Sequence, residues 1–140
     1  MDIRPITDGY AVSPQIAPED LPAIAAAGYR TVVCNRPDSE IPEDLSSAVM
    51  AEAAAKAGLA FVVHPLTHQT MEEAFPRQME ILAQAEGPVL AYCASGTRCS
   101  IAWSLGQVGR MDADDILAAT GRAGYDLSAM RMRLDSESEG

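Results

Sequence analysis

Apolar residues along the chain recur in two rhythms, short alternating or continuous runs and longer stretches at helical spacing, and the two alternate in order. Ile3 to Thr7 and Tyr10 to Val12 flank an Asp8-Gly9 turn signal and predict a hairpin. Pro18 to Ala27 predicts a helix stopped by Gly28, with Leu21, Ile24 and Ala25 as its apolar stripe. Tyr29 to Cys34, centred on Val32 and Val33, predicts a buried strand, and the polar loop Asn35 to Glu40 follows. Glu43 to Ala57 predicts a second helix ended by Gly58, with Leu45 and Val49 facing inward and Glu52 and Lys56 paired on the outer face. Leu59 to Val63 is a further strand running into His64-Pro65-Leu66-Thr67-His68. Phe75, Met79 and Leu82 mark a third helix closed by Gly87. Pro76 predicts that its regular part begins near that residue, with Met71 to Ala74 a separate turn.

Pro88 to Tyr92 predicts the last core strand, Cys93 to Arg98 a loop, and Cys99 to Val108 a helix packed through Ile101, Ala102 and Leu105. Asp112, with Asp115 three residues on, predicts another capped helix ending at Gly121 or Gly124, and Leu127, Met130 and Leu134 a short final one. Strand and helix in alternation imply an α/β domain, a central and mainly parallel sheet flanked by helices. The loops beyond the carboxyl ends of such strands gather on one edge, where ligands bind. Here they are Asn35 to Glu40, His64 to His68 and Cys93 to Arg98, and they hold most of the unusual chemistry.

A chain of 140 residues fits one domain, expected over residues 1–135, with 136–140 a frayed polar tail. With 20 acidic and 10 basic residues the formal net charge is −10, which argues against nucleic-acid or anionic-membrane partners but not against a small anionic substrate. No run approaches the ~18 apolar residues that span a bilayer, and Met1-Asp2-Ile3-Arg4-Pro5 lacks the layout of a signal peptide, so a cytoplasmic location is expected. Three cysteines, no C-x-x-C and two histidines in one loop predict neither a disulfide framework nor a metal site, and no cofactor is expected.

The segment Tyr92-Cys93-Ala94-Ser95-Gly96-Thr97-Arg98-Cys99-Ser100 is a strand end, a small-residue loop and a helix start. Small residues let Ala94, Ser95, Gly96 and Thr97 turn their N–H groups inward as an anion nest. The helix start adds unpaired N–H groups, and Arg98 adds a planar fork for oxyanions. A thiol there, Cys93, is stabilised as thiolate and becomes a nucleophile.

Through Gln15, Ala26-Ala27-Gly28, Val33-Cys34-Asn35-Arg36-Pro37-Asp38-Ser39-Glu40 and Tyr92 to Arg98, the chain resembles the phosphatase-like domain of the beta-lactamase-hydrolase-like proteins, in standalone form, from about Ile3 to Leu134. The resemblance implies a dual-specificity-phosphatase-like fold, Cys93 as nucleophile and Arg98 as oxyanion ligand. Departures from cysteine phosphatases stand beside it. Four residues, not five, separate Cys93 from Arg98, a rhodanese-length loop; Tyr92 replaces the usual His, and Cys99 the usual Ser or Thr. The loop expected to carry an acidic proton donor has no Asp, and His68 takes its place by spacing. On these grounds the expectation is a sulfurtransferase carrying sulfane sulfur on Cys93, from thiosulfate or a low-molecular-weight persulfide to an acceptor thiol, including a protein thiol. The alternatives are a phosphatase forming a phosphocysteine on a phosphoester substrate, and a non-catalytic anion-binding or redox-sensing module built on Cys93 and Cys99.

Supporting positions are Arg36, adding positive potential, Asp38, orienting Arg36 or Arg98, and Cys99 and Ser100 at the helix start. Whether the Cys99 thiol meets Cys93 stays open from spacing. His64 reads as a packed, hydrogen-bonded histidine, Cys34 and Trp103 as core, and Met130-Arg131-Met132-Arg133 as alternating packed and solvated side chains.

Overall fold

The computed structural model describes residues 1–135, so the expected tail, 136–140, lies outside the described residues. Five strands, β1 (Arg4–Thr7), β2 (Tyr10–Ser13), β3 (Thr31–Cys34), β4 (Ala60–Val63) and β5 (Val89–Tyr92), form one sheet in the order β1-β2-β5-β3-β4. β1 and β2 are the antiparallel hairpin, and the remaining neighbours are parallel. β5 therefore lies between β2 and β3, with Tyr92 level with Ser13 on one side and Cys34 on the other. That register sends the residue after Tyr92 out at the middle of the carboxyl edge.

Among the described residues six α-helices cover the faces: α1 (Leu21–Ala26), α2 (Ser47–Lys56), α3 (Met71–Gln84), α4 (Thr97–Gly106), α5 (Ala113–Arg122) and α6 (Arg131–Asp135). Side chains alternate across a strand, so Ala11, Val32, Leu90 and Tyr92 pack with Leu21, Ile24, Met50 and Ala54 beneath α1 and α2. Val12, Val33, Val89 and Ala91 face the other way, with Ile81, Trp103, Ile116 and Leu134 of α3 to α6. Cys93 continues that second set, which points its side chain toward α4.

Several expectations need correction. The predicted second helix is a 3₁₀ turn, Glu43–Leu45, followed by α2, because Ser46 accepts a hydrogen bond from the Val49 amide at 3.3 Å and starts the helix there. Its buried residues are Met50 and Ala54, not Leu45 and Val49. The Glu52–Lys56 pair is present at 3.6 Å. α3 runs unbroken from Met71 through Pro76, because buried Met71 anchors the first turn against Leu66, Ala102 and Leu105. Its fully inward residues are Met71, Gln78 and Ile81; the polar Gln78 disguised the stripe. The Asp112 side chain makes no capping bond to α5. Met132 is exposed, while Arg133 pairs with Glu72 and lies over Phe75.

These assignments separate two neighbouring residues of α2. Met50→Ala should destabilise the protein by about 2–5 kcal/mol, and Val49→Ala by roughly 1 kcal/mol or less, as read by urea unfolding. Equal losses would mean that the face is assigned wrongly.

Candidate active site

The β5 strand continues its ladders past its end: the Cys93 amide donates to Ser13 O at 3.4 Å, and the Asn35 amide to Tyr92 O at 2.8 Å. The chain then turns through Ala94 and Ser95 to Gly96, whose φ of +92° is left-handed and suits glycine. α4 begins at Thr97, and its first amides point back at the sulfur. The Gly96 N–H donates to Cys93 Sγ at 3.2 Å, and the Arg98 and Cys99 amides also converge on it. The Cys99 thiol points at Cys93, which settles the question that spacing left open. Cys93 is fully buried, which opposes ionisation, yet the Cys99 S–H bond and the backbone N–H groups prevail and lower its pKa to about 5. Burial pushes Cys34 and Cys99 upward instead, so Cys93 is the thiolate of the three near neutral pH.

Arg98 is buried and held along its outer edge. Nη1 donates to Glu40 Oε2 at 2.9 Å and to Leu66 O at 2.8 Å, and Nη2 to Glu40 Oε1 at 2.7 Å. Nε–H and one Nη2 hydrogen remain without a partner among the described residues, a side-on pair of the kind that can bind an oxyanion. Arg36 backs Glu40, donating through Nε to Oε1 at 3.4 Å and through Nη2 to the Glu40 carbonyl at 3.3 Å. Its Nη1 reaches Gln15 Oε1 at 3.2 Å. The Arg98 and Arg36 guanidiniums hold the Glu40 carboxyl below its ordinary range. Asp38, expected on Arg36 or Arg98, instead accepts from the Ser47 amide and hydroxyl, both at 2.8 Å, and so tethers the start of α2.

The Leu66 carbonyl is itself positioned. Asn35 and Gln78, both fully buried, pair amide to amide at 2.8 and 2.9 Å. Asn35 Nδ2 also donates to His64 O at 2.7 Å, and the Leu66 amide donates to Asn35 O at 2.8 Å. His64 Nδ1 meets Gln78 Oε1 at 2.7 Å, so the ring is a packed histidine with its proton on Nδ1. Sequence reading assigned no role to Asn35 or Gln78; the available signal was a glutamine on the inward side of α3.

Glu40, Thr67, His68, Gln69, Ala94, Ser95, Thr97 and Arg98 line a cavity of about 330 Å³ in front of the loop. His68 stands exposed on its rim. The Ala94 and Ser95 amides have no partner among the described residues, whereas the Thr97 amide donates to Ser95 Oγ at 3.3 Å. Ser100 lies behind the loop, its hydroxyl donating to Gly96 O at 2.8 Å. Trp103 and Cys34 are core. A larger cavity, about 480 Å³, opens at the opposite edge of the sheet beside Gly9, Tyr10 and Val89 and is lined by no cysteine or histidine. Among the described residues no group of three His, Cys, Asp or Glu side chains could hold a metal ion, and no helix is long and apolar enough to cross a membrane.

A family model for the phosphatase-like domain of beta-lactamase hydrolase-like proteins matches residues 2–110. The chain belongs to this family. The beta-lactamase hydrolase-like proteins of Agrobacterium fabrum and Xylella fastidiosa are each 34% identical to it, over 131 and 130 residues. These alignments take in 91% of this chain but 30% of each relative, so the chain spans under a third of their length. The crystal structure of a candidate phosphatase from Neisseria meningitidis superposes with a TM-score of 0.87 at 34% identity, covering 98% of this chain and 99% of that one. The catalytic domain of a PP-IP phosphatase from Saccharomyces cerevisiae shares the fold at a TM-score of 0.71 and 11% identity, over 97% and 84% of the two chains.

These findings overturn the expectation of sulfur transfer. The family and the nearly full-length structural match are phosphatase-like, and they support neither a thiosulfate or persulfide donor nor an acceptor thiol. Loop length misled because the four-residue Cys93-to-Arg98 spacing still lets three amides meet the sulfur and leaves the guanidinium edge free. The domain is phosphatase-like.

The thiolate itself is measurable. Ultraviolet thiolate absorbance should show one titration with a midpoint near 5, absent in Cys93→Ser. Cys99→Ala should raise that midpoint, because it removes the strongest of the lowering contacts. A midpoint in the ordinary thiol range, about 8.5, would show that the loop amides do not stabilise the sulfur.

Proposed function

We propose that this domain hydrolyses phosphate monoesters through a phosphocysteine formed on Cys93. The observation that carries the reading is the ring of Gly96, Arg98 and Cys99 amides around a buried thiolate, with the unused edge of Arg98 beside the cavity. In the first step Cys93 Sγ attacks phosphorus, the S–P bond forms and the ester P–O bond breaks. The phosphoryl oxygens take the free Ala94 and Ser95 amides and the Nε–Nη2 edge of Arg98, whose donors are fixed before the reaction begins.

His68, on the cavity rim, gives its proton to the leaving alkoxide. An imidazole can do this near neutral pH in place of a carboxylic acid. In the second step water attacks phosphorus and gives a proton back to His68. The S–P bond breaks, inorganic phosphate leaves, and Cys93 returns as thiolate. The Cys99 S–H, bonded to Cys93, stabilises the sulfur as leaving group in this step. The cavity wall carries hydroxyl, amide, imidazole, carboxylate and guanidinium groups and no Phe, Tyr or Trp among the described residues, which suits a small polar ester.

The pH dependence follows from the form that reacts. Thiolate is the nucleophile, so kcat/KM should rise through a limb near pH 5 as Cys93 loses its proton. With an aryl phosphate, Cys93→Ser should abolish turnover. His68→Asn should lower kcat by about 10²–10⁴-fold. A native kcat in His68→Asn would dismiss His68 as the acid, and turnover surviving Cys93→Ser would dismiss the mechanism.

A further inference from the structure

The amides of the cysteine loop can face inward only if the matching carbonyls are held outward, and every carbonyl from Ala94 to Gly96 has a partner. Ala94 O accepts from the Gln15 amide at 3.2 Å, and Gly96 O from the amide and hydroxyl of Ser100 at 3.0 and 2.8 Å. The Ser95 carbonyl is taken by a residue thirty positions away, the hydroxyl of Tyr125, at 2.8 Å. Peptide planes are rigid, so fixing the Ser95 carbonyl also fixes the Gly96 N–H, which is the donor that bonds Cys93 Sγ.

Tyr125 follows α5, beyond the residues that the family model covers, and it does not line the cavity. Its ring is buried against the back of the loop, so closely that a Cβ at Gly96 would overlap its hydroxyl. The guanidinium of Arg4 lies 5.2 Å from the ring centroid and its Nη1 donates to Ala123 O at 3.4 Å, which ties β1 to the end of α5. Gly124, at φ +96°, makes the turn into Tyr125, and a Cβ there would approach Arg4 Nη1 to 2.7 Å. Two glycines and an arginine thus accommodate this one tyrosine.

We infer that Tyr125, stacked under Arg4, is a positioning residue for catalysis: its hydroxyl turns the Ser95–Gly96 peptide so that the Gly96 amide stays on the sulfur and the loop remains open to an oxyanion. This deepens the phosphatase reading and uses the same site. The other titratable groups around the sulfur are Cys99 and Arg98 of α4, Cys34 at the end of β3 and Tyr10 of β2. None of them touches the Ser95 carbonyl.

Tyr125→Phe deletes the hydroxyl and keeps the ring under Arg4. The variant should raise the Cys93 thiolate midpoint and weaken binding of inorganic phosphate by about three- to tenfold, with kcat falling by a similar factor. Met50→Ala, destabilising on the other face of the sheet, should leave the midpoint and phosphate affinity unchanged; if it moves both, the effect is general softening and the inference fails. Should Tyr125→Phe not fold, Arg4→Gln, which frees the ring but spares the hydroxyl, should move both readouts the same way by less. A native midpoint and native phosphate affinity in the folded variant overturn the brace. The thiolate titration needs no turnover, so a protein without phosphatase activity whose midpoint still moves would sink the phosphatase reading and leave the brace standing.

Discussion

The convergence of backbone N–H groups on the sulfur of Cys93 is the constraint on which the rest of the site depends. A sulfur with no exposure to water would ordinarily keep its proton, since burial disfavours the charged form. Here the amides of Gly96, Arg98 and Cys99 and the thiol of Cys99 stand in for water, and the balance falls on the side of the thiolate. In the proposed reaction a phosphoryl group meets the Ala94 and Ser95 amides of the same loop, so activating the nucleophile and binding the substrate draw on one stretch of backbone.

The fold supplies that arrangement through position and direction. Position comes from β5 lying between two parallel neighbours, so that Cys93 leaves the sheet at its centre with its side chain on the α4 side. Direction comes from the hydrogen bonds behind the loop. Glu40 and the Leu66 carbonyl hold one edge of Arg98 and leave the other free, and the buried Asn35–Gln78 amide pair fixes the segment that carries Leu66. These groups come from the segment that follows β3, the loop before α3 and α3 itself. Removing one partner of such a buried set leaves the other unsatisfied, which typically costs about 1–3 kcal/mol.

Most of the fold could be read from the chain because strands and helices here obey their own periods. The α/β order, the hairpin and the gathering of three loops on one edge needed only apolar spacing and Gly signals. Misreadings came where side-chain chemistry overrode period. Ser46 started a helix four residues after its apparent beginning, and buried Gln78 broke the apolar stripe of α3. At the candidate site, the gathering of Cys93, Arg98 and the small loop residues was legible because they are neighbours in sequence. Glu40 as the partner of Arg98, and Asn35, Gln78 and Tyr125 as supports, were not, since each acts across 30 or more residues through a contact that leaves no local pattern. Asp38 misled because its two acceptor oxygens are spent on Ser47, nine residues on. Loop length suggested sulfur chemistry because it counts residues, whereas the chemistry depends on where the N–H groups point.

The most direct test of the account is acid-quenched mass spectrometry of the native protein during turnover of an aryl phosphate. The account predicts one phosphoryl group on the peptide that contains Cys93, forming and decaying with turnover. Turnover with no label on that peptide, or a label on another residue, would contradict it.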